Sequence, residues 1–449
     1  MATMNALERR TAASLAGLFA FRMLGMFMLL PVFTLYGTAY AGYTPALAGF
    51  AIGAYGLTQS LLQIPFGTWS DRFGRKPVIL AGLGLFAAGS VVAALSHTIH
   101  GVILGRALQG AGAIAGPVLA LAADLTREEQ RTKVMAVIGI AIGASFGLAQ
   151  ILGPVVAHGG GLSGLFWLTG ALAVVGMAIV AWAVPAPVTR SHSREVNVAG
   201  LKTVLGDGQL LRLDFGIFAL HFVMTATLMT VPVMLAAGGL PAPKHSWVYL
   251  AAMVGAILAL GPLMAQARRG RGQRVLQGCI VLLALVEAGL ALAGGADWHA
   301  LAVLLLLFYV AFNYLESSLP SLISRLAPER AKGAALGVYA TAQFLGAALG
   351  GALGGRLYQS FGIAGVFATG AVVSGFWLWA TFGLNVQAEL ASHSFTVGRL
   401  DPAEADALLL RLLELPGVRS ATLVEGVIHL QVEASEFDRE ALAGLTSMG

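Results

Sequence analysis

Four ionisable residues, Arg22, Arg106, Glu287 and Glu316, fall inside long apolar stretches of this sequence. A charge in such a place is costly, and it is retained where it binds, pairs or moves something. Glu316, beside Asn313, is the preferred substrate or proton site. Arg22 either lines a cavity with Glu316 or lies near a helix end and supports packing. Arg106 and Glu287 read first as structural. Uncharged polar residues in similar stretches, Gln59, Gln63, Gln150, His221, Asn313, Tyr339 and Gln343, extend the cavity, although each taken alone also reads as a packing contact. No nucleophile and base stand together, and no metal-ligand cluster is present. Gly350-Gly-Ala-Leu-Gly-Gly355 follows no strand, so it reads as a packing face and not a phosphate loop. No cofactor or metal is expected, and the chemistry that remains is proton exchange, charge pairing and solute binding.

A second group of charges sits between two apolar stretches, in Gly67-Thr-Trp-Ser-Asp71-Arg72-Phe-Gly74-Arg75-Lys76. A glycine ending a helix permits close approach, the aspartate supplies a fixed negative charge, Gly74 allows a turn, and two cations follow. The bland alternative is a basic loop that only sets topology.

The elements that position these residues follow from composition. Of 449 residues, 57% are hydrophobic and 11% charged, against about 25% charged in a soluble domain. Stretches of about 20 apolar residues predict membrane-spanning helices, and helices satisfy their own backbone groups in lipid. Twelve spans are expected, near 14–36, 46–70, 77–96, 100–124, 133–157, 162–185, 212–236, 245–267, 274–294, 300–324, 334–356 and 363–385. The first is too long for a signal-peptide core. The single cysteine, Cys279, excludes disulfides and reads as a packing residue.

Basic residues orient the chain. Nineteen Lys and Arg fall in the N-terminal segment and the loops after even-numbered spans, whereas the opposite loops carry only Lys244 and Arg356. The positive-inside rule then puts both termini in the cytoplasm. Residues 390–449 carry net −5 and residues 1–389 net +10, within a total of +5. The basic excess points to anionic lipid and not to nucleic acid. The halves echo each other: Pro117, Gly143 and Gly147 recur 203 positions later as Pro320, Gly346 and Gly350. Repeats of this kind mark secondary transporters, with chance alignment of glycines as the alternative. Expected domains are 1–185, a linker 186–211, 212–389, and a soluble domain 390–449.

The loop motif, with Leu104-Gly105-Arg106-Ala107-Leu108-Gln109-Gly110-Ala111-Gly112 on span 4, resembles the major facilitator superfamily. Phe21-Arg22-Met23-Leu24-Gly25-Met26-Phe27, Asp124-Leu125-Thr126-Arg127-Glu128, Leu319-Pro320-Ser321-Leu322-Ile323-Ser324 and Gly337-Val338-Tyr339 are similar to the YajR-type bacterial inner-membrane transporters. That resemblance implies proton-driven transport, with export as the expected direction, and a cytoplasmic ferredoxin-like domain. It also implies that Asp71 faces the N-terminal end of span 11, near Lys332 and Gly333, in an outward-open state, where a helix dipole favours a carboxylate. Arg75 would bridge Asp71 to Asp124, and protonation of either aspartate would weaken the latch. A static clamp remains the alternative, and Glu128 and Arg131 are placed to rewire the network. Gly139, Gly143, Gly147 and Gly153-Pro154 on span 5 loosely resemble the antiporter motif of drug and proton exchangers. Ala149 and Ala157-His158 depart from it, and a packing face explains these glycines as well.

The last residues read as strand 394–397, helix 402–415, a Pro416-Gly417 turn, strands 419–424 and 427–432, and helix 436–445. Alternation in Ile428-His-Leu-Gln-Val432 supports the third strand. The run is close to a ferredoxin-like domain without its final strand. It resembles heavy-metal-associated domains but has no cysteine to bind metal. The expected molecule is a multi-pass protein of the bacterial inner membrane whose partners are lipid, protons and a small solute, with self-association through the soluble domain as one role for it. Proton-coupled export leads; uptake by symport and a membrane sensor are the alternatives, and an enzyme is not expected.

Overall fold

The computed structural model describes residues 4–185, 198–328, 331–384, 390–397, 401–413, 415, 417–424 and 426–433. Contacts divide the chain into a helical body, Met1–Ala265 with Arg274–Gly383, and a smaller unit, Gln266–Gln273 with Leu384–Gly449. In the first half of the body, α1 (Ala6–Phe27), α2 (Phe33–Tyr36), α3 (Pro45–Phe73), α4 (Arg75–Leu95), α5 (Ile99–Ala111) and α6 (Ala115–Asp124) precede a long run, α7 (Glu128–Ala178). In the second half, α8 (Val198–Gly206), α9 (Gly208–Ala237), α10 (His245–Gln266), α11 (Gly272–Leu292) and α12 (Trp298–Leu326) precede another, α13 (Lys332–Thr381).

Seven helical stretches among the described residues are long and apolar enough to cross a membrane. Three of these, Glu128–Ala183, Ala242–Leu292 and Lys332–Thr381, have 56, 51 and 50 residues, and a straight helix of 50 would run about 75 Å. Each is interrupted. Gly161 (φ 62°, ψ −163°) breaks α7 and Gly362 (φ 65°, ψ −162°) breaks α13. Gly270, at φ 76°, breaks the third. These conformations are open to glycine and strained for other residues. Large apolar side chains stay exposed, including Leu292 at 87% and Trp182 at 80%, as suits a surface facing lipid and not water.

Several expected boundaries shift for local reasons. The first helix starts at Ala6, not 14, because Asn5 and Glu8 form a reciprocal cap: the Asn5 side chain accepts from Glu8 N and the Glu8 carboxylate accepts from Asn5 N, both at 2.8 Å. It stops at Phe27, four residues before Pro31, which has no N–H to continue the ladder. The expected fourth span is two helices, parted at Gly112 (φ −74°, ψ 58°). Within the expected linker 186–211, residues 198–206 are helical with Val204 fully buried. Asp207 then caps α9 by accepting from Gln209 N at 2.8 Å. Residues 186–197 lie outside the described set.

In the smaller unit, β1 (Leu390–Thr396), β2 (Val418–Val424) and β3 (Val427–Glu433) form an antiparallel sheet in the order β1-β3-β2. That is the order expected of the first three strands of a ferredoxin-like unit. β1 starts four residues before its expected position, at Leu390 opposite Glu433. α14 (Pro402–Leu413) sends Leu412 into a small core with Ile428, Leu430 and Val432. Gly417 and Gly426 take positive φ at the two turns. The expected helix 436–445 lies outside the described residues.

Candidate functional site

The two halves of the body meet at one end. α3 and α13 run antiparallel, so that a Cβ added at Gly49 would stand 2.7 Å from the Gly355 Cα, one at Gly53 2.5 Å from the Ala348 carbonyl oxygen, and one at Gly56 2.7 Å from that of Phe344. Farther along, Gly67 on α3 and Gly333 and Gly337 on α13 have nothing within 4 Å of such an atom. The helices therefore touch near Gly49 and part toward Asp71. Other contacts between the halves agree. The Ala46 N–H donates to Gln359 Oε1 at 3.2 Å, the Ser246 hydroxyl to the Ile151 carbonyl at 3.0 Å, and the Thr34 hydroxyl to that of Met229. Deeper in, Phe146 on α7 packs on Phe312 of α12 with ring centroids 5.4 Å apart, and on Tyr309 at 6.2 Å.

Beneath this aromatic layer the second half holds a polar cluster. The Gln343 side-chain nitrogen lies 2.9 Å from His221 Nε2 and 3.3 Å from Glu316 Oε1. His221 Nδ1 lies 3.2 Å from the Ile217 carbonyl. A carbonyl accepts only, so Nδ1 carries the hydrogen and Nε2 accepts from the Gln343 amide. Glu316 Oε2 stands 3.9 Å from Nε2, and the Glu316 side chain is 35% accessible. Phe312, one turn from Glu316, places its ring 6.3 Å from that of His221. Asn313 donates to the Met253 sulfur at 3.6 Å. Tyr339, one turn before Gln343, is buried and lies within electrostatic reach of Glu316.

The first half holds a separate network. Arg22 donates to Gln59 at 2.7 Å and to the Gly112 carbonyl at 3.0 Å, and its guanidinium faces the Phe86 ring. The break between α5 and α6 turns that carbonyl toward it. Gln59 donates in turn to Gln63 at 3.0 Å. Arg22 is thus tied to its own half and is not brought to Glu316. Gln150 is fully buried and its amide has no protein partner among the described residues. Arg106 lies 4.6 Å over the Tyr55 ring and donates to Gln109 at 2.8 Å, which donates to Ser90 at 2.8 Å. A Cβ at Gly110 would stand 2.8 Å from the Tyr55 carbonyl carbon, so this stretch packs helices. Glu287 accepts from Thr227 at 2.9 Å, with its other oxygen against Gly370, and is separate from the cluster.

The loop motif is assembled around Arg75. Its guanidinium donates to Asp71, to the Ser70 hydroxyl at 2.7 Å and to Asp124 at 3.1 Å. Gly74 has φ 97°, which a side chain at that position would resist. Lys76 donates to the Val184 carbonyl at 2.9 Å and Arg10 to that of Ala183 at 2.8 Å, so both close a helix end. The Arg72 guanidinium sits over Phe73 at 5.3 Å, and Arg131 donates to the Ala123 carbonyl at 3.3 Å. Glu128 opens α7, where a carboxylate suits the helix N-terminus. On α7, a Cβ at Gly139 or Gly143 would meet nothing within 4 Å, one at Gly147 would stand 3.4 Å from Met253 Cγ, and Gly153, next to Pro154, presses on the Met28 carbonyl. Their counterparts Gly346 and Gly350 pack on the Phe218 and Phe222 carbonyls. The echo of spacing is therefore not an echo of packing.

Three features were not singled out from the sequence. Arg127 donates to Glu8 through its backbone N–H at 3.2 Å and its side chain at 2.8 and 3.0 Å. Arg127 foremost, then the Asn5 N–H, hold the Glu8 carboxyl down from 4.5 to about 2 against the opposing effect of burial. The capping pattern Asn5-x-x-Glu8 was the available signal. The Phe146 and Phe312 contact had none, since aromatics fill apolar helices everywhere. Asp214 on α9 is 5% exposed with neither oxygen hydrogen-bonded among the described residues, and its position inside an expected span was a signal passed over.

The arrangement of two helical halves around a polar centre has relatives. The Major Facilitator Superfamily pattern matches residues 15–350 and again 213–413. The chain belongs to the Major Facilitator Superfamily. Within the superfamily it is 45% identical over 421 residues to the inner membrane transport protein YajR of Escherichia coli (strain K12), covering 93% of this chain and 92% of that one. It is 27% identical to the multidrug resistance protein MdtH of Cronobacter sakazakii, over 75% of this chain and 84% of that one. A solved D-xylose-proton symporter shares the fold at a TM-score of 0.65 and 17% identity, covering 83% of this chain and 97% of that one. The protein is accordingly a membrane transporter of this superfamily.

Proposed function

We propose that this protein is a proton-coupled antiporter that exports a small organic solute by alternating access across the bacterial inner membrane. The observation that carries the reading is the Gln343 amide joining His221 and Glu316 where the halves part. A carboxylate and an imidazole sharing one donor at the mouth of a cleft form a group whose hydrogen bonds change when a proton arrives. A proton on Nε2 turns that atom from acceptor to donor, so the Gln343 amide must turn over and release Glu316 to solute. Arg22, Gln59, Gln63 and Gln150 form a buried polar layer in the first half, to be uncovered to solute as the halves move, with Asn313 and Tyr339 beside the cluster.

The twelve-span reading is supported by the glycine breaks, which divide each long run into pieces of single-span length. The second superfamily match begins at residue 213, in keeping with halves of six helices. With the basic loops inside, the state described here opens to the cytoplasm, and the Asp71, Arg75 and Asp124 group stands ready to receive the start of α13 when that side closes. Export is favoured over uptake by the likeness to MdtH.

The test is flux in proteoliposomes under an imposed pH gradient, across a panel of organic cations and anions. Wild type should drive at least one solute against its gradient and Glu316→Gln should not. Uncoupled, downhill movement in both would overturn the reading.

A further inference from the structure

The second half contains a run of polar atoms that the cluster does not use. Asp214 Oδ1 and Oδ2, Tyr339 Oη and Glu316 Oε2 are all shielded and have no hydrogen-bond partner among the described residues. Native interiors leave few such atoms, and four in one region is a pattern. Asp214 and His221 are seven residues apart on α9, hence on one face, and Tyr339 and Gln343 are four apart on α13. On the two helices joined by the 2.9 Å contact of Gln343 with His221, Tyr339 stands one turn before Gln343 and Asp214 two turns before His221.

The order along the body follows from packing. Phe218, Phe222 and Ala226 of α9 lie against Gly346, Gly350 and Gly354 of α13, so these helices run parallel. α13 begins at the open, Asp71 end. Asp214 therefore lies about 10 Å nearer that end than His221, at 1.5 Å per residue. Among the described residues no cation is hydrogen-bonded to it. On its own helix Arg212 lies against Gly383, 2.5 Å from where a Cβ would stand. The adjacent α8 offers Lys202, which is exposed, α12 offers Glu316 and, in its last turn, Arg325, and α13 offers Lys332 at its start and then Tyr339. α2 and the stretch 363–381 carry no charge.

We propose that Asp214 is a second proton-binding carboxyl, linking Glu316 through the Tyr339 hydroxyl to water at the open end. In the unloading step, with a bridging water carrying each transfer, the Glu316 proton is relayed to the Tyr339 oxygen while the Tyr339 O–H proton is relayed to an Asp214 carboxylate oxygen, each water giving up one proton as it takes one. One O–H bond breaks at each donor and one forms at each acceptor, leaving Glu316 ionised, Asp214 neutral and Tyr339 unchanged. Asp214 then yields its proton to water, and loading runs the steps in reverse. The relay rests on the coupling role given above to Glu316.

Time-resolved infrared spectroscopy of the reconstituted full-length protein tests this, with a light-triggered proton jump and no solute. The Glu316 carboxylic C=O band is the one missing in Glu316→Gln. Asp214→Asn and Tyr339→Phe should each retain that band but slow its appearance by about 100-fold, the scale of a positioned proton carrier. Asp214→Glu should restore the rate. An unchanged rate in Asp214→Asn overturns the relay alone. Loss of no band in Glu316→Gln overturns the coupling role and the relay with it.

Discussion

Gly56 meets Phe344 so closely that a Cβ at residue 56 would stand 2.7 Å from the Phe344 carbonyl oxygen. Backbone cannot yield as a side chain can. Gly56→Leu should therefore prop the halves apart where they now touch, at about 1–3 kcal/mol for overpacking. Spin labels at Ala46 and Gln359, hydrogen-bonded neighbours across the same contact, should show a longer distance population in the variant. An unchanged distribution would refute this contact as the closed gate.

Gly161 and Gly362 share one backbone conformation, φ 62° and 65° with ψ near −163°, and a Cβ at either meets nothing within 4 Å. Any penalty for alanine is thus conformational and not steric crowding. Gly161→Ala and Gly362→Ala should each lower unfolding stability by about 1–3 kcal/mol. Thermal unfolding in detergent should give similar shifts for the two.

The Glu8 and Arg127 pair predicts an acid response. The folded carboxyl titrates at about 2 and the unfolded one at 4.5, so the folded state binds fewer protons between these values. Its stabilisation is fully present above pH 4.5 and is lost as pH falls toward 2. Glu8→Gln should remove this component, giving a weaker fall of melting temperature across that window than wild type shows.

Arg75 stands between two carboxylates, Asp71 and Asp124, at a partly exposed surface. Solvent limits the stability of such pairs to about 1 kcal/mol. Arg75→Ala should lower the melting temperature by only a few degrees. If the group is a latch and not a static clamp, gradient-driven flux should fall far more, and Asp71→Asn should abolish it with folded protein still in the membrane. Equal, small losses in both measurements would favour the clamp.

What could be read in advance follows the physics of each residue. Glu316 and the Asp71 loop stood out because a charge in an apolar run, or two cations after a glycine turn, is rare enough to carry meaning. Arg22 was recognised as buried, yet its partner was not, since a sequence does not say which helices face each other. Asp214 lies within the expected span 212–236, two residues after Arg212, and its lack of a partner is a matter of packing that the sequence does not carry. The pairing of α3 with α13 depends on which of many glycines meet backbone, and Gly143 and Gly346 occupy matching repeat positions with opposite surroundings. Helix ends moved wherever a cap or a single positive-φ glycine, and not hydropathy, decided them.

The one-ended contact between α3 and α13 also makes the molecule a lever. With Gly56 as the last point of touch, the 17 residues to Phe73 form an arm of about 25 Å at 1.5 Å per residue. A tilt of about 10° at the glycine contact would carry the Asp71 end through about 4 Å by this geometry, enough to make or break an ion pair. In the proposed transport cycle, a fulcrum of residues without side chains would thus let a small rocking motion work a gate at the other face of the membrane.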